Sequence, residues 1–291
     1  TANSYTVSFE SNGGTEVDDL TVVYGHPATE PEMPTRTGYT FEGWFSDESL
    51  QTPHAFATPI GAGDLTLYAG WTINSYRVSF ESNGGTAVPD LFVVFGQGAV
   101  EPIEPEKTGH TFEGWYSDET LLTPYTFGTP IGASDVALFA KWNINSYTVA
   151  YDGNGSTGGS APAGNAHEYE SAIVVEGNVG SLEKTGHSFA GWNTAADGSG
   201  FAYTAGDSLT IGTAGVTLYA QWTVNSYPLS YRGNGNTGGN VPEGGIYDYR
   251  APVAVPDNTG GLEKPGYTFA GWNTAADGSG TAYRPGQTFA M

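Results

Sequence analysis

The sequence predicts a mainly β protein: four small tandem modules in an extended row, with little helix. Three observations carry this. The tripeptide Asn-Ser-Tyr recurs at Asn3-Ser4-Tyr5, Asn74-Ser75-Tyr76, Asn145-Ser146-Tyr147 and Asn225-Ser226-Tyr227, at intervals of 71, 71 and 80 residues, and fixed periods of this kind mark repeat architectures. Within each period apolar and polar residues alternate, as strands with one buried face require. The composition is turn-rich, with 43 Gly and 17 Pro, yet 13% aromatic, so turns and apolar cores coexist. The repeat boundaries fall at 1–71, 72–142, 143–222 and 223–291.

Each module follows one order. Tyr5 to Phe9 alternates large apolar with small polar groups and opens the module as a strand. Asn12-Gly13-Gly14 then turns the chain, as Asn-Gly pairs do, and Leu20 to Tyr24 forms a further strand. Pro31 and Pro34 exclude a regular helix or central strand between Thr29 and Thr37. Tyr39 to Phe45 is the next strand, with Gly43 marking a bulge or a close backbone approach. Ser46 to Leu50 alone has helical character, with Ser46 as N-cap and acids in the first turn. Leu65 to Trp71 closes the module.

The copies form two pairs. The opening tyrosine lies 39 residues before the Gly-Trp tryptophan in the first two (Tyr5 to Trp44, Tyr76 to Trp115) and 45 before it in the others (Tyr147 to Trp192, Tyr227 to Trp272). The first pair shares Phe-Glu-Gly-Trp and the second Gly-Trp-Asn-Thr-Ala-Ala-Asp-Gly-Ser-Gly, which reads as duplication of two ancestral variants.

Units of this size without metal or disulfide sit near the lower limit for an independent core, and large rings supply the difference. Trp44, Trp71, Trp115, Trp142, Trp192, Trp222 and Trp272 are therefore assigned to the core, exposure of Trp44 or Trp71 being what a sugar-stacking platform would need instead. The segments Thr72-Ile73-Asn74-Ser75, Asn143-Ile144-Asn145-Ser146 and Thr223-Val224-Asn225-Ser226 are too short and too apolar for flexible linkers. Ile73, Ile144 and Val224 are expected to pack at the junctions and make the array semi-rigid.

The net charge of −22 disfavours nucleic acid and anionic membrane as partners, since both demand clustered Lys and Arg. It reads as colloidal stability outside the cell, with weak calcium binding or a cationic partner as the sharper alternatives. No apolar run approaches the roughly 20 residues of a membrane-spanning helix, so this segment is expected not to insert. The absence of cysteine removes thiolate chemistry and disulfides and is compatible with bacterial export.

Strings such as Pro34-Thr35-Arg36-Thr37-Gly38-Tyr39-Thr40-Phe41-Glu42-Gly43-Trp44 and Leu218-Tyr219-Ala220-Gln221-Trp222 resemble the internalin-type B repeat, also called the Listeria-Bacteroides repeat, over essentially the whole chain. The resemblance implies a small β-grasp-like module, used in tandem in secreted and surface-anchored bacterial proteins, often as a stalk between a binding head and the cell wall. It carries no catalytic residues over to this sequence.

Comparison between copies argues against an enzyme. His54, His110, His187 and His167 align with Tyr125, Tyr39, Tyr267 and Tyr247, and His26 aligns with Gln97, so no histidine has a repeated role. Glu42 and Glu113 give way to Ala190 and Ala270, and Asp64 and Asp135 to Gly215, which leaves no recurring carboxylate pair. No metal or cofactor is expected; Asp197-Gly198-Ser199-Gly200 and Asp277-Gly278-Ser279-Gly280 resemble calcium loops less than they resemble plain turns.

Two functions stay open. One is a semi-rigid stalk, spacer or assembly element at the bacterial cell surface, whose partners are neighbouring repeats or chains of the same protein. The other is an adhesive module that grips a host or matrix glycan or protein through loops such as Gly153 to Gly159 and Gly233 to Gly239. The fourth copy has no counterpart of Val216 to Trp222 within the sequence, because Met291 aligns with Ile211. An exposed sheet edge is expected there, closed either by a continuation of the polypeptide beyond Met291 or by a strand from a neighbouring chain.

Overall fold

The computed structural model describes residues 2–291, and every described segment of regular structure is a strand. The chain divides into two compact units, one ending at Ile144 and the other running from Asn145 to Met291. Each unit holds one of the pairs of repeats read from the sequence.

The first repeat contains β1 (Ser4–Glu10), β2 (Leu20–Val23), β3 (Tyr39–Phe45) and β4 (Leu65–Ile73). They form one sheet in the order β2-β1-β4-β3, with β1 and β4 parallel and both outer pairings antiparallel. The second repeat copies this with β5 (Ser75–Glu81), β6 (Leu91–Val94), β7 (His110–Tyr116) and β8 (Val136–Ile144), in the order β6-β5-β8-β7. The opening and closing strands are thus the two interior ones, which is where the fully buried Val7, Leu67, Val78 and Leu138 lie. Among the described residues no helix covers either sheet, and the repeats are small β modules in tandem.

The third repeat has β9 (Ser146–Asp152), β10 (Asn165–Glu168), β11 (Ala172–Val174), β12 (His187–Asn193), β13 (Ala202–Tyr203), β14 (Ser208–Thr210) and β15 (Val216–Val224). Its sheet runs β10-β9-β15-β12-β13, and β11 pairs with β14 beside it. The residues inserted after Trp192 make the difference: the isolated bridge Phe45↔Pro53 of the first repeat becomes the two-residue ladder of β12 with β13. The fourth repeat has β16 (Ser226–Leu229), β17 (Gly245–Asp248), β18 (Pro252–Ala254), β19 (Trp272–Asn273), β20 (Ala282–Tyr283) and β21 (Thr288–Ala290). These pair only as β16-β17, β18-β21 and β19-β20, and among the described residues no strand lies between β16 and β19.

Each core is a ring cluster on one face of its sheet. In the first repeat Trp44 packs edge-on against Phe9 at 4.8 Å and Phe41 at 5.6 Å, over Val7, Leu67 and Ala69. Trp115 and Trp192 occupy the same place against Phe80 and Tyr151. Trp71, Trp142 and Trp222 are partly buried at the edge of these clusters, and Trp272 is partly buried against Tyr231. Gly43 does mark a bulge: the pairing with β4 shifts between Phe41 and Gly43, whose φ of 136° suits glycine.

Two expectations need correction. Ser46 to Leu50 is a turn and not a helix, because Asp47 accepts the N–H groups of Gln51 and Thr52 while Leu50 takes φ 54°. The four-residue linkers shrink to one residue each, because Ile73, Ile144 and Val224 extend the closing strands to pair with Tyr39, His110 and His187.

Candidate functional site

Two arrangements recur and lie outside the ring cores: the junction between successive repeats inside each unit, and the seam joining the first strand of a repeat to its last.

In the first unit only Asn74 separates β4 from β5. Its N–H donates to the Gly38 carbonyl (2.9 Å), its carbonyl accepts from the Phe95 N–H (2.9 Å), and Thr40 Oγ1 donates to its side-chain oxygen (2.7 Å). The Phe95 ring lies against Gly38, where an added Cβ would stand 2.2 Å from ring carbons. Gly38 also has φ 79°, so a side chain there meets both strain and a clash. Tyr39 and Tyr76 flank Phe95 edge-on at 6.1 and 6.5 Å.

The second unit repeats the arrangement. Asn225 donates to the Gly186 carbonyl (2.9 Å) and accepts from the Tyr249 N–H (2.8 Å) and from Ser188 Oγ (2.6 Å). The Tyr249 ring lies on Gly186, with His187 edge-on at 6.1 Å. Ile73 and Val224, expected to fill these junctions, keep 41% and 39% of their surface exposed, as Ile144 does at 41%. As last residues of the closing strands they stay in the ladder, and the ring that closes the gap comes from the loop after β6 or β17. Tyr24 occupies the equivalent position in the first repeat with 55% of its surface exposed.

At the seam, Asn12 sits at the left-handed turn (φ 49°) and its amide donates to the Ala69 carbonyl of β4 (2.8 Å). Trp71 Nε1 donates to the Ser11 carbonyl (2.9 Å), and the Thr6 N–H donates to Asp64 Oδ1 (2.8 Å). Asn83, Trp142 and Asp135 make the same three bonds to Ala140, Ser82 and Arg77 at 2.7, 2.9 and 2.8 Å. Asn154 and Trp222 supply two of them in the third repeat, to Ala220 and Gly153 at 2.8 and 3.1 Å.

A cation completes each turn. Arg36 Nη1, Lys107 Nζ, Lys184 Nζ and Lys264 Nζ donate to the carbonyls of Asn12, Asn83, Asn154 and Asn234 at 3.0, 2.9, 3.2 and 3.2 Å. Arg36 also stacks over Tyr39 at 3.8 Å. Sequence reading passed over these four residues; the available signal was a basic residue at the same place in every copy of an acidic chain.

The acidic loops are occupied by their own backbone. Hydrogen bonds from Ser49, Gln51 and Thr52 hold the Asp47 carboxyl at about 2, and those from Thr120, Thr123 and Leu122 hold Asp118 at about 2. Asp197 and Asp277 are lowered by the hydroxyl and N–H of Ser199 and Ser279. Among the described residues no three His, Asp or Glu groups gather as metal ligands. The loop Gly153 to Gly159 is held by the chain itself, the Thr157 N–H donating to Glu183 (2.6 Å). A cavity of about 610 Å³ lies in the fourth repeat beside Lys264, Tyr267 and Phe269. The corresponding Lys184, His187 and Phe189 face the closing strand of the third repeat.

The family model described as the Listeria-Bacteroides repeat domain matches four times, at residues 5–70, 76–141, 147–221 and 227–291. A protein of Evansella cellulosilytica named as a membrane protein is 41% identical over 292 residues, 99% of this chain and 42% of its own length. A Gly-rich membrane protein, by name, of the same organism is 39% identical over 93% of this chain and 30% of itself. Internalin H of Listeria monocytogenes is 36% identical over 144 residues, 49% of this chain and 26% of its own length. The chain therefore spans less than half the length of these relatives. Among solved structures, domains 3-4 of the Streptococcal High Identity Repeats in Tandem (SHIRT) of a cell surface protein match at 20% identity, over 48% of this chain and 98% of that one, with a TM-score of 0.21. Among the described residues no helix is long and apolar enough to cross a membrane.

Proposed function

The chain belongs to the Listeria-Bacteroides repeat domain family, and from that premise we propose that it is a non-enzymatic, semi-rigid spacer in a bacterial cell-surface or secreted protein. The observation that carries this is the junction. One residue, Asn74 or Asn225, connects successive repeats, and two backbone hydrogen bonds, a side-chain bond and an aromatic ring laid on a glycine restrain it. A freely jointed chain of domains needs several unrestrained residues at each joint; these joints offer none.

The natural absence of cysteine makes a distance measurement direct. Spin labels on Glu48→Cys and Glu119→Cys, exposed equivalents in the first two repeats, should give one narrow distance distribution by double electron–electron resonance. Inserting Gly-Ser-Gly-Ser after Asn74 should broaden it. Equal widths in the two proteins would remove the semi-rigid reading. Specific capture of the unmodified chain on glycan or protein arrays would favour an adhesive module instead.

A further inference from the structure

We propose that each complete repeat is a shear clamp, built to carry tension between its first and last strands. The inference rests on the spacer reading for its biological setting, but its physics comes from topology alone. The polypeptide enters a repeat through β1 and leaves through β4, and these two strands are parallel neighbours paired Val7↔Leu65, Ser8↔Thr66, Phe9↔Leu67 and Glu10↔Tyr68. β5 pairs with β8 and β9 with β15 in the same way. Tension along the chain therefore draws β1 backward and β4 forward along their shared direction.

The ladder hydrogen bonds lie across that direction, so they are loaded together and not one after another. An antiparallel hairpin pulled from its open end would peel bond by bond. Sliding the strands must also drag Val7 past Leu67 in the fully buried core and admit water to both.

The polar bonds at the seam extend the same loaded line. Thr6 to Asp64 lies before the ladder, and Asn12 to Ala69 and Ser11 to Trp71 lie beyond it, so each ties the entry segment to the exit segment. In the second repeat Arg77 to Asp135, Asn83 to Ala140 and Ser82 to Trp142 do the same. The fourth repeat supplies an internal control. The only described partner of β16 is the antiparallel β17, and Asn234 donates to Ala276 in the loop after β19.

Pulling single 291-residue chains from their two ends in an optical trap or force microscope is the test. Three high-force events are expected, each releasing on the order of 200 Å of contour from a repeat of 71 to 80 residues, with the fourth repeat opening at low force. Four indistinguishable low-force events would overturn the clamp.

The pulling direction isolates the geometry. Handles on Ser75→Cys and Asn143→Cys load β5 against β8 in shear, whereas handles on Ser75→Cys and Ser134→Cys pull the paired strand starts apart. The second repeat should yield at several-fold higher force on the first axis. Asp135→Ala, which removes the bond to the Arg77 N–H, should lower the force on the shear axis, where that bond shares the load with the ladder. Equal forces on the two axes would refute the clamp while leaving the junction distances, and so the spacer reading, intact.

Discussion

At the residue scale the ring clusters decide stability. Trp44 is 4% exposed between Phe9 and Phe41, and its removal leaves a cavity beside Val7, Leu67 and Ala69. Trp44→Ala should cost the first repeat about 3–5 kcal/mol, a large share of a small domain's stability. Denaturant unfolding followed by hydrogen exchange should locate the loss in residues 4–73, and an unchanged first repeat would contradict the core assignment.

His54 gives a second prediction. Its Nε2 is buried without a hydrogen-bond partner, as is Oη of Tyr125 at the same place in the second repeat. Burial lowers the His54 pKa below 6.5, so the fold prefers neutral imidazole while the unfolded chain protonates more readily. Its contribution is fully present above about 6.5 and is lost as pH falls from there through the lower folded value. Melting of the first repeat should therefore drop between pH 7.5 and 5 in the wild type and drop less in His54→Tyr; identical pH profiles would show that this ring does not report the change.

At the element scale the Asn-Gly turn joins two roles in one residue. Asn83 holds φ 49° and donates to Ala140. Asn83→Ala should lose about 1 kcal/mol for the hydrogen bond and a further 1–2 kcal/mol for the left-handed backbone. Asn83→Gly should recover the second loss only. Chemical unfolding of the three proteins separates them, and equal stability of the Ala and Gly variants would show that the backbone conformation carries no cost there.

The strands were legible because alternation is local: Tyr5 to Phe9, Tyr39 to Phe45 and Leu65 to Trp71 fall within β1, β3 and β4. The turn at Ser46 to Leu50 was misread as helical because Ser followed by acids suits a helix N-terminus as well as a turn capped by Asp47. The side-chain bonds of Asp47 to amides four and five residues on decide between them.

At the scale of the whole chain, stability should follow the completeness of each sheet. Among the described residues no strand lies between β16 and β19 of the fourth repeat, and Trp272 is only partly buried where Trp192 is 1% exposed. Its amides in β16 and β19 should exchange first with deuterium, well before those of β9 and β12. Equal protection in the third and fourth repeats would mean that the closing strand contributes little to holding the sheet.

The sequence by itself determined the fourfold repeat, the β class, the four principal strands of the first repeat and the ring-filled cores, because each is written in short-range periodicity and in side-chain size. Tertiary structure alone decided that the last strand of a repeat lies in the middle of its sheet, parallel to the first. It also decided that Phe95 and Tyr249 seal the junctions while Ile73 and Val224 remain in their ladders, and that Arg36, Lys107, Lys184 and Lys264 bind turn carbonyls. Each of those contacts joins residues about twenty to sixty positions apart, and no local pattern encodes which distant partner a strand or a ring will meet, since that choice follows from how the whole sheet closes.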